Sequence, residues 1–293
     1  MTTLDRRLNA FRPDLADARL KGEVQADRFV EGRLMQVAVP VLDIRNAPRP
    51  DAGQDTQLLL GDRVRVFEEA EGFAWLQSER DGYVGYASSA GLAEISGEPT
   101  HAVAVPRTFS YREPDMKKPA TGCYSLGSRF HVVGSAETRG VGYCVLASGE
   151  ALVASHLRPI DEVSGDFVAV AETLERTPYL WGGTSAFGID CSGLVQLSMR
   201  MVGRTVLRDT DMQARSIGEP IEIGDDLSGL RRGDLVFWKG HVAIMVDEEN
   251  IIHANGHTMS VAREPLRQAV DRIAYIYGKP TGFRRPYSVC SAG

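Results

Sequence analysis

Cys191 stands in the run Asp190-Cys191-Ser192-Gly193, and two histidines follow it inside apolar, strand-like runs. His241 opens Gly240-His241-Val242-Ala243-Ile244-Met245-Val246, and His253 lies in Ile251-Ile252-His253-Ala254-Asn255-Gly256. A thiol at a helix start with imidazoles on neighbouring strands is an arrangement that activates a cysteine nucleophile. The chemistry it suits is acyl transfer. One ring takes the thiol proton and later returns it to a leaving amine, while a second group holds that ring's other nitrogen. His241 is the candidate base and His253 the candidate partner that orients it. The set as a whole is the signature of a cysteine peptidase.

The positioning elements can be read locally. Leu194, Val195, Met201 and Val202 recur near helical spacing and Gly203 supplies a stop, so Cys191 falls in the first turn of a helix. Unpaired amides and the positive end of the helix dipole there should favour a thiolate, and the same amides can serve an oxyanion. His241 begins a β-branched run, and the turn Asp247-Glu248-Glu249-Asn250 folds the His253 strand back beside it. Phe167, Val170, Ala171 and Leu174 form an earlier helix that ends before Pro178. A metal centre lacks the paired Cys-x-x-Cys or helical His-x-x-x-His that would hold it, so no metal or other cofactor is expected. Cys123, Cys144 and Cys290 read as small buried hydrophobes, and His257 as a solvent-facing loop residue. Trp181 suits a cleft wall or a packing position equally well.

Five motifs run in a fixed order: Tyr179-Leu180-Trp181-Gly182-Gly183, Asp190-Cys191-Ser192-Gly193, Arg232-Gly233-Asp234-Leu235-Val236-Phe237-Trp238, Gly240-His241-Val242-Ala243 and Ile252-His253-Ala254. Over residues 166–285 the chain thereby resembles the NlpC-type bacterial cell-wall peptidases, papain-like cysteine enzymes that cut amide bonds in murein stem peptides. The resemblance implies Cys191 as nucleophile, His241 as base and His253 as orienting third member. In relatives that cleave short free peptides, the tyrosine matching Tyr179 lies against the nucleophile. The residues matching Asp190 and Ser192 hold the substrate's terminal amine there.

The 293-residue length leaves room for two or three domains, and 43% apolar content excludes wholesale disorder. A net charge of −6 with mixed signs gives no support to a nucleic-acid partner. No apolar run is long enough for a membrane span, Met1 to Lys21 has no apolar leader core, and no protein partner is evident. The reading is a cytoplasmic chain, and four cysteines at this length agree with a reducing compartment.

The N-terminal half reads as all-β. Alternating runs Leu34–Val39, Asp62–Phe67, Phe73–Gln77 and Gly82–Tyr86 are separated by turn residues, and a weaker echo follows at His101–Val105, Ser128–Val133 and Gly142–Leu146. The first module resembles a bacterial SH3-like domain in Gly61-Asp62-Arg63-Val64-Arg65-Val66, a Gly-x-x-Trp step and Asp81-Gly82-Tyr83-Val84-Gly85-Tyr86. The second departs from that pattern, with Tyr143 where tryptophan is usual. Three-domain relatives use the first module to supply an acid and a tyrosine that restrict the enzyme to free N-termini. The matching residues here are Asp55 and Tyr83, Asp55 being one carbon shorter than the expected glutamate; as ordinary residues they would be a loop acid and a core tyrosine.

The expected architecture is α+β: an N-terminal segment 1–29, SH3-like barrels at 30–96 and 97–160, and a papain-like cysteine peptidase domain at 166–293. The expected activity is hydrolysis of the γ-D-glutamyl-diamino acid bond in L-Ala-γ-D-Glu-diamino acid murein stem peptides during recycling. Catalysis rests on Cys191, His241 and His253, with Tyr179, Trp181, Asp190, Ser192, Tyr83 and Asp55 binding substrate. The competing readings are a wall-binding SH3-like protein with a secondary or inactive peptidase domain, and a thioester-based acyltransferase.

Overall fold

The computed structural model describes residues 4–163 and 165–287, in two compact units that divide after Glu162. Cys290 lies outside the described residues.

In the first unit, seven strands form one sheet in the order Gln54–Leu59, Val41–Arg45, Val84–Ser88, Phe73–Ser78, Arg63–Ala70, Arg33–Val37 and Leu92–Ala93. Period-two alternation makes its core: Val64 and Val66 turn inward to meet Met35, Leu42, Ile44, Leu58 and Leu76, while Arg63 and Arg65 turn outward. The hairpin Val41–Arg45 with Gln54–Leu59 was not among the predicted strands: Leu42 and Ile44 do alternate with Asp43 and Arg45, but the partner strand opens on the polar run Gln54-Asp55-Thr56-Gln57, where a bulge interrupts the register. The described part of the N-terminal segment packs on this sheet. Leu15–Asp17 pairs in parallel with Arg28–Val30, Ala10 and Leu15 pack on Phe67 and Trp75, and the Arg12 guanidinium lies 4.4 Å over the Trp75 ring.

Residues 101–159 make a three-stranded and a five-stranded sheet instead of a single seven-stranded one. One backbone turn recurs in both stretches. Gly61 N–H donates to Val37 O and Val37 N–H to Asp62 O; Gly127 N–H donates to Val103 O and Val103 N–H to Ser128 O. Both glycines take positive φ, 82° and 86°.

The second unit begins with α1 (Phe167–Thr173), capped by the Asp166 side chain on Val168 N–H. Next come α2 (Cys191–Met201) and α3 (Thr210–Ser216). The strands are β1 (Glu219–Ile221), β2 (Leu235–Trp238), β3 (His241–Met245), β4 (Asn250–Asn255), β5 (Ser260–Pro265) and, after α4 (Leu266–Tyr277), β6 (Gly282–Arg285). All six join one sheet in the order β1-β6-β2-β3-β4-β5. Leu266, Ala269 and Ile273 of α4 pack on Val236, Trp238, Ala243, Met245 and Ile251, so α4 covers the sheet face that also carries His241 and His253. The helix α2 is buried on nearly every side, which fixes its first turn against the sheet.

Candidate active site

Cys191 is the first residue of α2, and Asp190 is its N-cap. The Asp190 Oδ1 accepts from Gly193 N–H at 2.7 Å and Oδ2 from Gly182 N–H at 2.9 Å, which ties the glycine turn to the helix start. The two motifs need their glycines for a steric reason. A Cβ on Gly193 would lie 2.2 Å from Gly183 O, and one on Gly183 would lie 2.5 Å from Gly188 O. Among the described residues no acceptor takes the Cys191 and Ser192 amides, so both remain available at the nucleophile.

A buried arginine that sequence reasoning missed completes this corner. Arg208 is 1% exposed and grips Asp190 with its two terminal guanidinium nitrogens, at 3.0 and 2.5 Å, while Nη1 also donates to Ser192 Oγ at 2.7 Å. Burial lowers its pKa, but the Asp190 carboxylate more than offsets this and holds the charge. Asp190 therefore receives five donors from within the protein, counting Ser192 Oγ at 3.2 Å. The pair is eighteen residues apart with no periodicity to announce it. Gln213 of α3 also escaped notice; it donates to Ser192 O and Leu207 O.

The thiol does not sit as a preformed thiolate, contrary to the expectation from the helix dipole. Burial, followed by the Asp190 charge, pushes the Cys191 pKa up to about 11. The sulfur's partners are Thr210 Oγ1 at 3.9 Å and Gly240 O at 4.0 Å, with the Val242 amide also reaching it. It thus meets the backbone on both sides of His241. Pairing between β3 and β4 is confined to Ile244↔Ile252 and Met245↔Ile251, which leaves this stretch of strand edge to the thiol.

His241 is half-buried beside Trp238, its cross-strand partner, with ring centroids 5.6 Å apart. Burial first, then His253 and Arg272, lower its pKa to about 3, so the resting ring is neutral. Its Nε2 is 2.8 Å from Nδ1 of His253, which is fully buried. Nε2 of His253 is in turn 2.7 Å from Glu264 Oε1, and Arg272 pairs with the same oxygen. Glu264 and Arg272 were not singled out from the sequence. Their signal is faint: one acid on a short polar strand and one base on an amphipathic helix.

Tyr179 is bridged to Ile189, and its hydroxyl pKa is raised by burial first and then by its closeness to Cys191 and Asp190. Trp181, at 71% exposed, is no core residue of this unit. Tyr179, Asp190, Ser192, Cys191, His241 and His253 are therefore brought together within the second unit. Asp55 and Tyr83 belong to the first. Asp55 is the extra residue of a bulge opposite Ile44/Arg45, a device that re-aims a side chain, and Tyr83 is buried. His257 starts a loop held by Asn255 Oδ1, and its side chain is exposed.

Residues 44–92 match the family model described as bacterial dipeptidyl-peptidase SH3 domain, and residues 176–275 match that of the NlpC/P60 family. The first match does not extend to residues 101–159. A γ-D-glutamyl-L-lysine dipeptidyl-peptidase of Bacillus cereus is 34% identical over 109 residues, 34% of this chain and 31% of the relative. The protein of the same description from Bacillus subtilis is 28% identical over 227 residues, 68% of this chain and 71% of the relative. The matched stretch thus spans about a third of the first relative's length and more than two thirds of the second's. The crystal structure of an NlpC/P60 family protein from Bacillus cereus superposes with a TM-score of 0.71 at 23% identity, over 87% of this chain and 99% of that one, which establishes the shared fold.

Proposed function

We propose that this chain, which carries an NlpC/P60 family domain behind a bacterial SH3 domain, is a cysteine peptidase of cell-wall peptides. The observation that carries the reading is the Cys191 sulfur lodged against the backbone of Gly240 and Val242, with His241 between them relayed to His253. Thiol and imidazole are both neutral at rest, so the thiol proton has to pass to the imidazole during the reaction. The Cys191 proton passes to His241 as sulfur bonds to the carbonyl carbon, and the oxyanion is met by the Cys191 and Ser192 amides. The amide C–N bond then breaks as His241 returns the proton to the leaving amine. Water, deprotonated by His241, releases the acid from the thioester and regenerates the thiol.

The finer reading is a substrate with a free N-terminal L-Ala followed by γ-D-Glu and a diamino acid, cut at the γ-D-glutamyl bond in cytoplasmic recycling. Support comes from the names of the two Bacillus relatives and from the match of the SH3 domain to a dipeptidyl-peptidase type. Tyr179 and Trp181 would line the cleft. Ser192 and Asp190 would meet the amine, with Arg208 already balancing the Asp190 charge, so the ammonium requires a further acid.

Incubation with L-Ala-γ-D-Glu-diaminopimelate and with its N-acetyl form tests this. The free tripeptide should yield L-Ala-D-Glu by mass spectrometry, the acetylated one should be cut orders of magnitude more slowly, and folded Cys191→Ala should release nothing. A folded wild-type chain that releases no L-Ala-D-Glu would favour the wall-binding reading. Products carrying an added acceptor amine would make it an acyltransferase.

A further inference from the structure

Behind the two histidines lies a charged pair that the reaction above leaves unused. Glu264 of β5 is reached diagonally across the sheet: Ala262 opposes His253 and Ile251 opposes Glu264, a diagonal within range of long side chains. Arg272 of α4 pairs with the same Glu264 oxygen that faces His253 Nε2. Burial works against the Glu264 charge, but the contacts with His253 and Arg272 hold its carboxyl below the usual range.

An ionised carboxylate accepts hydrogen bonds and has no proton to give. The proton between His253 and Glu264 therefore belongs to His253 Nε2. In the neutral ring Nδ1 is then bare and can only accept, so the proton in the 2.8 Å contact between the rings belongs to His241 Nε2. That leaves Nδ1 of His241 with its lone pair free, and among the described residues it has no partner.

We propose, building on the peptidase reading, that Glu264 anchored by Arg272 is a positioning residue that sets the tautomers of both histidines and makes His241 Nδ1 the atom that takes the Cys191 proton. Without the carboxylate, His253 is free to carry its proton on Nδ1. It would then donate to His241 Nε2 and force the His241 proton onto Nδ1, where it blocks the base. The same carboxylate supplies a counter-charge when His241 becomes an imidazolium.

The test is two-bond proton–nitrogen correlation spectroscopy on the full chain labelled with 15N-histidine, with ring signals assigned from His241→Ala and His253→Gln. In the wild type both rings should be protonated at Nε2 and bare at Nδ1. Glu264→Gln keeps the shape but offers a carboxamide that donates as readily as it accepts. Its His253 signal should move toward the Nδ1–H form, and kcat on the free tripeptide should fall about ten- to a hundredfold with little change in KM. A wild-type spectrum with Nδ1–H on either ring overturns the proposal, as does a Glu264→Gln protein with unchanged spectrum and unchanged kcat. The wild-type spectrum needs no substrate. Expected tautomers in a chain inert toward the tripeptide would uphold the Glu264 assignment and discard the peptidase reading.

Discussion

The protonation state of Cys191 lends itself to a quantitative test, because two opposing effects on it can be sized. The positive end of α2 favours the thiolate by about 1 kcal/mol. Burial and the Asp190 carboxylate act the other way, raising the thiol from 9.0 to about 11, or about 3 kcal/mol against the charged form. Burial wins. At pH 8 the thiolate share is then roughly one in a thousand, against about a quarter for a free cysteine of pKa near 8.5. Alkylation of Cys191 by iodoacetamide at that pH should therefore be about twentyfold slower than that of a cysteine-containing reference peptide, the roughly two hundredfold smaller thiolate share being partly offset by the greater nucleophilicity of a high-pKa thiolate. The test is the pH dependence, followed by mass spectrometry of the Cys191 peptide. The logarithm of the rate should climb with unit slope through neutrality and on past the reference thiol's plateau. Steric shielding slows the reaction at every pH and does not change that slope. A plateau already reached below neutral pH would show a resting thiolate–imidazolium pair and refute the reasoning. His241, held neutral down to about pH 3, should contribute no acid limb to kcat/KM above that value, since only its protonation removes the base.

Two further outcomes concern the helix start. Arg208→Met strands the Asp190 carboxylate in a buried corner and should cost about 3–5 kcal/mol in urea unfolding of the second unit. Adding Asp190→Asn should recover part of that loss, whereas a single variant within 1 kcal/mol of wild type would show that the pair carries no such weight. Gly193→Ala pushes a methyl to 2.2 Å from Gly183 O, backbone that cannot swing aside. It should lower the unfolding free energy by about 1–3 kcal/mol and misplace Cys191; an unchanged urea midpoint would refute the close-approach account.

Much of the local structure was legible because its signals are local. The apolar spacing after Asp190 and the stop at Gly203 mark a helix that indeed runs Cys191–Met201, and the β-branched runs mark β3 and β4. Asp55 and the Val41–Arg45 hairpin were harder, since a bulge breaks the alternation that betrays a strand. In the N-terminal segment the apolar residues that dock on Phe67 and Trp75 are few, Ala10 and Leu15, too few to make a pattern.

The sequence by itself determined which groups are available for chemistry. A cysteine in a first turn, two histidines opening and lining strands, and glycines where motifs close on one another are statements about neighbours a few residues apart, which short-range sterics and periodicity encode. Only the tertiary structure decided the electrostatics. Whether Cys191 is a thiol or a thiolate depends on how much water its burial removes and on an Asp190 charge already claimed by Arg208. Which nitrogen of His241 is bare depends on Glu264, brought within reach by two diagonal steps across β3, β4 and β5. Pairing across strands and desolvation are properties of the packed sheet and helix, and no spacing along the chain carries them.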